Sequence, residues 1–208
     1  AYDKNLSELI GIILGDGHIG KRQVSITLHS IDDIKYKQYV VKLIKRTLKL
    51  MPSVRKRLGK NAVVILISRI NLVNFLIKSG LRSGNKVKMQ VDIPSWIKSS
   101  LSFRKNCLRG LFDTDGCYYT DRHLIKNRLY INGGMSFTNR SLPILKFFKE
   151  TLEMLGFHPT QKTPYNVFLR KEKDIEKYMQ IVGTSNDKFK KRLKIYYINK
   201  YGRVPKWS

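Results

Sequence analysis

One pattern constrains this chain more than any other. A nearly uninterrupted apolar segment ends in Gly-Asp-Gly at residues 15–17, and a second segment of the same plan ends in Thr-Asp-Gly at 114–116. The offset from Asp16 to Asp115 is domain-sized, so the chain reads as a repeat of two units rather than one large fold. Within the segments, Gly11 and Gly15 in the first and Gly110 and Thr114 in the second stand one helical turn apart. A stripe of small residues at that spacing lets two helices cross with their backbones nearly touching. Such a crossing would bring Asp16 and Asp115, at the helix ends, close together.

The elements after each apolar helix follow the same order. Gln23 to His29 alternates, with Val24, Ile26 and Leu28 on one side and Gln23, Ser25, Thr27 and His29 on the other, which predicts a half-buried strand. Asp32 to about Leu50 has the apolar spacing of an amphipathic helix opened by Asp32 or Asp33. Ser53 to Leu58 and Ala62 to Arg69 form a hairpin around Gly59-Lys60-Asn61, and a short helix from Asn71 closes at Gly80. Residues 91–102 read as a connector, placing one repeat over 1–98 and the other over 103–208. In the second repeat a helix from Asn106 to Thr114 is followed by strand segments at Cys117 to Thr120, Arg128 to Asn132 and Met135 to Thr138. A helix capped by Ser141 runs to Leu155, a hairpin spans Pro159 to Arg170, and helices from Lys173 and Asn186 finish the plan. Each half therefore reads αββαββα. The fold class is α+β, with a four-stranded antiparallel sheet per repeat.

Charge narrows the partner. The 208 residues hold 41 Lys and Arg against 15 Asp and Glu, a net +26. Each half carries +13, from 19 basic and 6 acidic side chains through Lys98 and 22 and 9 after it. An even distribution points to a polyanion gripped by both repeats, not to a basic tail on a neutral domain. No apolar run reaches the roughly 20 residues that span a bilayer, so no membrane is expected. The first residues lack a basic-then-apolar leader, and Cys107 and Cys117 are the only cysteines. Both features predict an intracellular protein of the cytoplasm, nucleoid or an organelle matrix, not a secreted one.

Two carboxylates packed together in a basic protein repel unless a divalent cation neutralises them, and oxygen-only ligation suits Mg²⁺, or another such ion like Mn²⁺. A metal so held activates water and stabilises a departing 3′-oxygen in phosphodiester hydrolysis. The segments Leu9-Ile10-Gly11-Ile12-Ile13-Leu14-Gly15-Asp16-Gly17 and Leu108-Arg109-Gly110-Leu111-Phe112-Asp113-Thr114-Asp115-Gly116 resemble the LAGLIDADG motif, with its third-position glycine, apolar middle, small seventh residue, acidic eighth residue and closing glycine. Two matches at this spacing resemble the monomeric, two-motif LAGLIDADG homing endonucleases. That resemblance implies catalytic and metal-ligating acids at Asp16 and Asp115, with backbone carbonyls of Gly15 and Thr114 as further ligands. It also implies a basic residue near each acid: Lys86 and Lys188 occupy similar places in the two halves, with Lys88, Lys162 and Lys190 as alternatives. Asp113 matches the sixth motif position, where Leu14 stands in the first half. The glycines after the acids are expected to turn the chain sharply into the sheet.

The resemblance further implies a saddle whose strands read consecutive major grooves of double-stranded DNA. The expected readers are Gln23, Ser25, Thr27 and His29 in one half, and Arg128, Tyr130, Asn132, Ser136 and Thr138 in the other. Arg55, Arg57, Lys162 and Arg170 would add guanine or phosphate contacts. Because the halves differ, the target would be asymmetric and about two helical turns long, bound without an obligate protein partner. The implied activity is a site-specific, intron-encoded or freestanding endonuclease leaving short 3′ overhangs. The alternative is an RNA maturase of the same fold acting on intron RNA. Ala1 is no splicing nucleophile and Trp207-Ser208 no terminal His-Asn pair, so an intein is not expected.

Overall fold

The computed structural model describes residues 2–205; Ala1, Trp207 and Ser208, on which the intein argument turned, lie outside them. The first helix, α1 (Lys4–Asp16), opens where the Asp3 carboxylate accepts the Leu6 N–H at 2.7 Å and buries every residue from Leu6 to Leu14. That all-round burial is what an apolar helix without a polar face requires. There follow β1 (Gly17–Ile19), β2 (Val24–His29), α2 (Ile34–Leu48), β3 (Ser53–Lys56), β4 (Ala62–Ile67) and α3 (Ile70–Lys78). The strands form one antiparallel sheet in the order β1-β2-β4-β3.

The second repeat reproduces the plan. After a one-turn helix, α4 (Ser95–Lys98), come α5 (Leu101–Asp115), β5 (Gly116–Ile125), β6 (Arg128–Thr138), α6 (Leu142–Met154), β7 (Thr160–Thr163), β8 (Asn166–Leu169), α7 (Glu172–Ile181) and α8 (Asp187–Tyr201). Its antiparallel sheet has the matching order β5-β6-β8-β7. The α+β fold of two four-stranded antiparallel sheets with flanking helices is the one expected.

Two local readings differ from the expectation, and a third holds for a physical reason of its own. Helix α5 starts at Leu101 rather than Asn106, because Phe103 packs edge-on against Trp96 and Arg104 Nε donates to the Lys98 carbonyl at 2.8 Å. The connector is therefore partly helical. The strand expected to break at Gly133-Gly134 runs unbroken through β6, because the Tyr118 and Tyr119 rings lie across the strand where β-carbons on these glycines would sit. Gly17 and Gly116 do turn the chain from helix directly into strand, as expected, with φ values of −90° and −82°. A side chain is excluded there because its Cβ would run into the preceding helical turn at Ile13 and Phe112.

The two repeats meet along α1 and α5. A β-carbon on Gly110 would lie 2.9 Å from Ile12 N, and one on Gly11 3.1 Å from Leu111 N, so each helix packs its backbone directly on the other's. Gly15 faces the Thr114 side chain in the same way. One core continues across the junction, joining Leu9, Ile12, Leu108 and Leu111 to residues beneath both sheets.

Candidate nuclease site and nucleic-acid interface

Because α1 and α5 cross at their small residues, their C-terminal ends converge. Asp16 and Asp115, the last residue of each helix, are both half-buried there. Burial and then the neighbouring Asp115 charge push the Asp16 carboxyl up to about 7, against opposing attraction from Lys86 and Lys188. Burial likewise raises Asp115, opposed by Lys86 and by Asn139, whose Nδ2 donates to Asp115 Oδ2 at 3.0 Å. Two half-buried acids, both raised by burial and one of them raised further by the other's charge, form a locus that favours added positive charge. Lys86 already responds to it: its ammonium donates to the carbonyls of Leu14 at 2.7 Å and of Gly15, at the negative end of the α1 dipole. Burial lowers the Lys86 pKa, while both aspartates act to raise it.

Lys188 occupies a different environment. Its ammonium lies 3.0 Å from Asp33 Oδ1 and over the Phe189 ring. The Gly15 carbonyl faces Lys86, and the Thr114 hydroxyl turns back onto the carbonyls of Gly110 and Leu111 at 3.1 and 2.9 Å. The two carboxylates with main-chain carbonyls make an oxygen-only donor set. Among the described residues, no group of three or more His, Cys, Asp or Glu gathers anywhere. Mg²⁺ characteristically takes one or two carboxylates and completes its shell with water and substrate phosphates. The donor set fits that habit.

Strand register lays out the two outward faces. In the first sheet, Ser25 opposes His18 and Leu66, Thr27 opposes Val64, and His29 opposes Ala62, with Ser53 and Arg55 beyond them on β3. Arg57 continues that face past the strand end, its N–H donating to the Ala62 carbonyl at 2.9 Å. Gln23 precedes β2, where its carbonyl accepts the Gly20 N–H. In the second sheet, Arg128, Tyr130, Asn132, Ser136 and Thr138 share one face of β6, opposite Ile125, His123, Asp121 and Cys117 in turn as far as Ser136. The Tyr130 ring stacks on His123, and the Thr138 hydroxyl donates to Asn166 Oδ1. Only Met135 to Thr138 of β6 pairs with β8, so the distal half of the β5–β6 hairpin is a two-stranded ribbon turning at Lys126-Asn127. Lys162 falls at an irregularity of β7, and the Arg170 guanidinium lies 4.8 Å over the Phe168 ring just past β8.

Sequence reasoning missed several residues here. His18 and Cys117 join the sheet faces by register. Asn139 reaches Asp115 from a turn that carried no motif signal. Beneath the site runs a buried polar network. Glu8 Oε1 accepts the Tyr39 hydroxyl at 2.8 Å and the Ser185 hydroxyl at 3.0 Å, while its other oxygen pairs with Arg109. Asp113, pushed up to about 7 by burial, accepts the Thr184 hydroxyl and the Ser185 N–H.

Two crossed helices, each ending in an acid beside an antiparallel sheet, are the arrangement that the resemblance to the LAGLIDADG motif implies, and the comparisons agree with it in the second repeat and in the fold. Residues 102–193 match the model of the LAGLIDADG-like domain family. The fold is shared with the I-LtrWI LAGLIDADG homing endonuclease solved on its target DNA, at TM-score 0.63 and 15% identity over 95% of this chain and 91% of that one. It is shared too with meganuclease I-SmaMI on uncleavable DNA (TM-score 0.61, 12% identity, 99% and 94% of the two chains) and with I-DmoI in complex with DNA and Mn (0.55, 16%, 86% and 96%). Among curated proteins, the chain is 24% identical to the tRNA-splicing ligase RtcB of Methanopyrus kandleri over 88% of its own length, and 30% identical to the replication factor C small subunit of Methanocaldococcus jannaschii over 72%. It spans only 20% and 9% of those two proteins. Among the described residues, no helix is long and apolar enough to cross a membrane.

Proposed function

We propose that this chain is a site-specific homing endonuclease that makes double-strand breaks in a long, asymmetric DNA target by divalent-metal-dependent phosphodiester hydrolysis, leaving short 3′ overhangs. The observation that carries the reading is the convergence of Asp16 and Asp115, each held half-buried with a raised proton affinity, at the junction of two basic repeats. Asp16, Asp115 and the Gly15 and Thr114 carbonyls would hold Mg²⁺ or Mn²⁺. Such an ion supplies Lewis-acid activation of a water and neutralises charge on the leaving 3′-oxygen.

The chain's own residues do the rest. Lys86 and Lys188 bring positive charge to the phosphate, where fixed charge in a partly dehydrated site stabilises the transition state. The outward faces of the two sheets, centred on Ser25, Thr27 and Arg55 in one and on Asn132, Ser136 and Thr138 in the other, read base edges. Because the rows differ in residue type, the target is not a palindrome. The curated relatives support an autonomous module. Proteins named for RNA ligation and for replication share with this chain only a minor segment of their length, as a mobile insert carried by unrelated hosts would.

The test is cleavage selection from a randomised duplex library with Mg²⁺, with Asp16→Asn and Asp115→Asn alongside. New ends at one long asymmetric site, lost in both variants, are expected. Tight binding to a structured intron RNA with no metal-dependent ends would overturn the endonuclease reading in favour of a maturase.

A further inference from the structure

The two segments that lead to Lys86 and Lys188 cross between the repeats, Lys188 standing in the first turn of α8. In the first repeat, the segment after α3 docks on the start of α6 in the second: Gln90 Oε1 accepts the Leu142 N–H at 2.9 Å, and the Val91 carbonyl accepts the Ser141 hydroxyl at 2.5 Å. In the second repeat, the segment after α7 docks on the start of α2 in the first: Asn186 Nδ2 donates to Asp33 Oδ1 at 3.0 Å. The exchange is reciprocal, but its chemistry is not. The position that opens α6 is the neutral Ser141, and the one that opens α2 is Asp33.

Asp33 is only 4% exposed, yet its carboxylate makes no capping bond to the first turn of its own helix. One oxygen accepts the His29 N–H at 3.1 Å, and the other accepts both Asn186 Nδ2 and the Lys188 ammonium at 3.0 Å. A buried carboxylate needs its cation, because an uncompensated charge in that place is strongly destabilising. Lys86, by contrast, has carbonyl partners at the end of α1 and no carboxylate within ion-pair distance among the described residues.

We propose that Asp33 is a positioning residue that restrains Lys188, making the two halves of the site unequal and fixing which strand is cut first. The inference rests on the endonuclease reading above. Each cut adds one water across a P–O3′ bond, giving a 5′-phosphate and a 3′-hydroxyl. The lysines contribute charge and positioning and are unchanged at the end. The strand whose phosphate meets Lys86 is cut first, because that ammonium gives up only neutral acceptors, the carbonyls of Ile13, Leu14 and Gly15, for the phosphate. Lys188 must leave an ion pair with a buried carboxylate, stranding its charge, to do the same.

The experiment uses the full chain and a supercoiled plasmid bearing the selected target, with each strand end-labelled. Wild type is expected to accumulate the nicked circle. Asp33→Asn, which keeps a hydrogen-bond acceptor and deletes the charge, is expected to bring the strand rates about five- to tenfold closer, the size of one partly shielded charge interaction. Lys188→Met is expected to stop at a nick in one defined strand, and it keeps the test decisive if Asp33→Asn folds poorly. A purely structural role for Asp33 would lower the melting temperature without altering the strand ratio. Reductive methylation read by peptide mass spectrometry gives a measure independent of activity: Lys188 reacts slowly beside Lys190 and Lys191 in wild type and speeds up in Asp33→Asn. Equal strand rates in wild type, an unchanged ratio in folded Asp33→Asn, or linear product from Lys188→Met would overturn the proposal alone. Methylation as expected without cleavage in any arm would overturn the endonuclease reading instead.

Discussion

Replacing Gly110 with alanine adds one carbon at the tightest point of the α1–α5 crossing. That carbon would stand 2.9 Å from Ile12 N and 3.2 Å from Glu8 C, and nearer still to the Glu8 carbonyl oxygen, about 1 Å inside ordinary contact. All three neighbours are main chain of a fully buried helix, so no side chain can swing aside and the helices must separate. Overpacking of this kind costs about 3 kcal/mol. Alanine's better helix propensity returns about 1 kcal/mol, leaving a net loss of about 2 kcal/mol. For a chain of this size that lowers Tm by about 4–8 °C. The same separation spreads Asp16 from Asp115, so metal-dependent cleavage should fall by more than the loss of folded protein explains. Gly20→Ala is the control, since its added carbon meets nothing closer than 3.5 Å and should leave Tm within about 2 °C. Calorimetry of both variants decides the matter. An unchanged or higher Tm for Gly110→Ala would show that the backbones do not touch as described.

Other outcomes follow from the same geometry. The Asp16 carboxyl is pushed up to about 7, so its contribution to stability is full below pH 4 and is lost as pH rises through 7. Metal-free protein should therefore melt lower at pH 8 than at pH 5, Asp16→Asn should reduce that difference while Asp113 and Asp115 keep part of it, and Mg²⁺ should raise wild type at pH 8. Glu8→Gln leaves Arg109 half-buried without its carboxylate and strips charge from the acceptor of Tyr39 and Ser185, which should cost about 3 kcal/mol in denaturant unfolding. Thr184→Val removes the hydroxyl on buried Asp113 and should cost about 1–3 kcal/mol by the same measurement. Duplex affinity should fall steeply with salt; with about ten phosphates neutralised, log K against log salt has a slope near −9, and a slope shallower than about −3 would show that the +26 charge is not used on DNA.

Much of this architecture is written locally. The apolar runs ending at Asp16 and Asp115 dictate two helices that must be buried, and the glycines within them dictate that the partner is a backbone, because no side chain could fit between. Alternation from Val24 to Leu28 dictates which side of β2 is apolar, since successive residues of a strand point to opposite faces. Three-residue β1 carries too few residues to show a period, and β6 looks interrupted at Gly133-Gly134 because rings from another strand cover it. Tertiary structure alone decides the rest. Asp33 reads locally as a helix cap and instead faces Lys188 and Asn186, more than 150 residues away in sequence. Asn139 reads as a turn residue and instead meets Asp115. Helix and strand periods depend on near neighbours, and so they are legible in the chain. The partner of a buried charge depends on which loops the fold brings together, and only the packed repeats determine that.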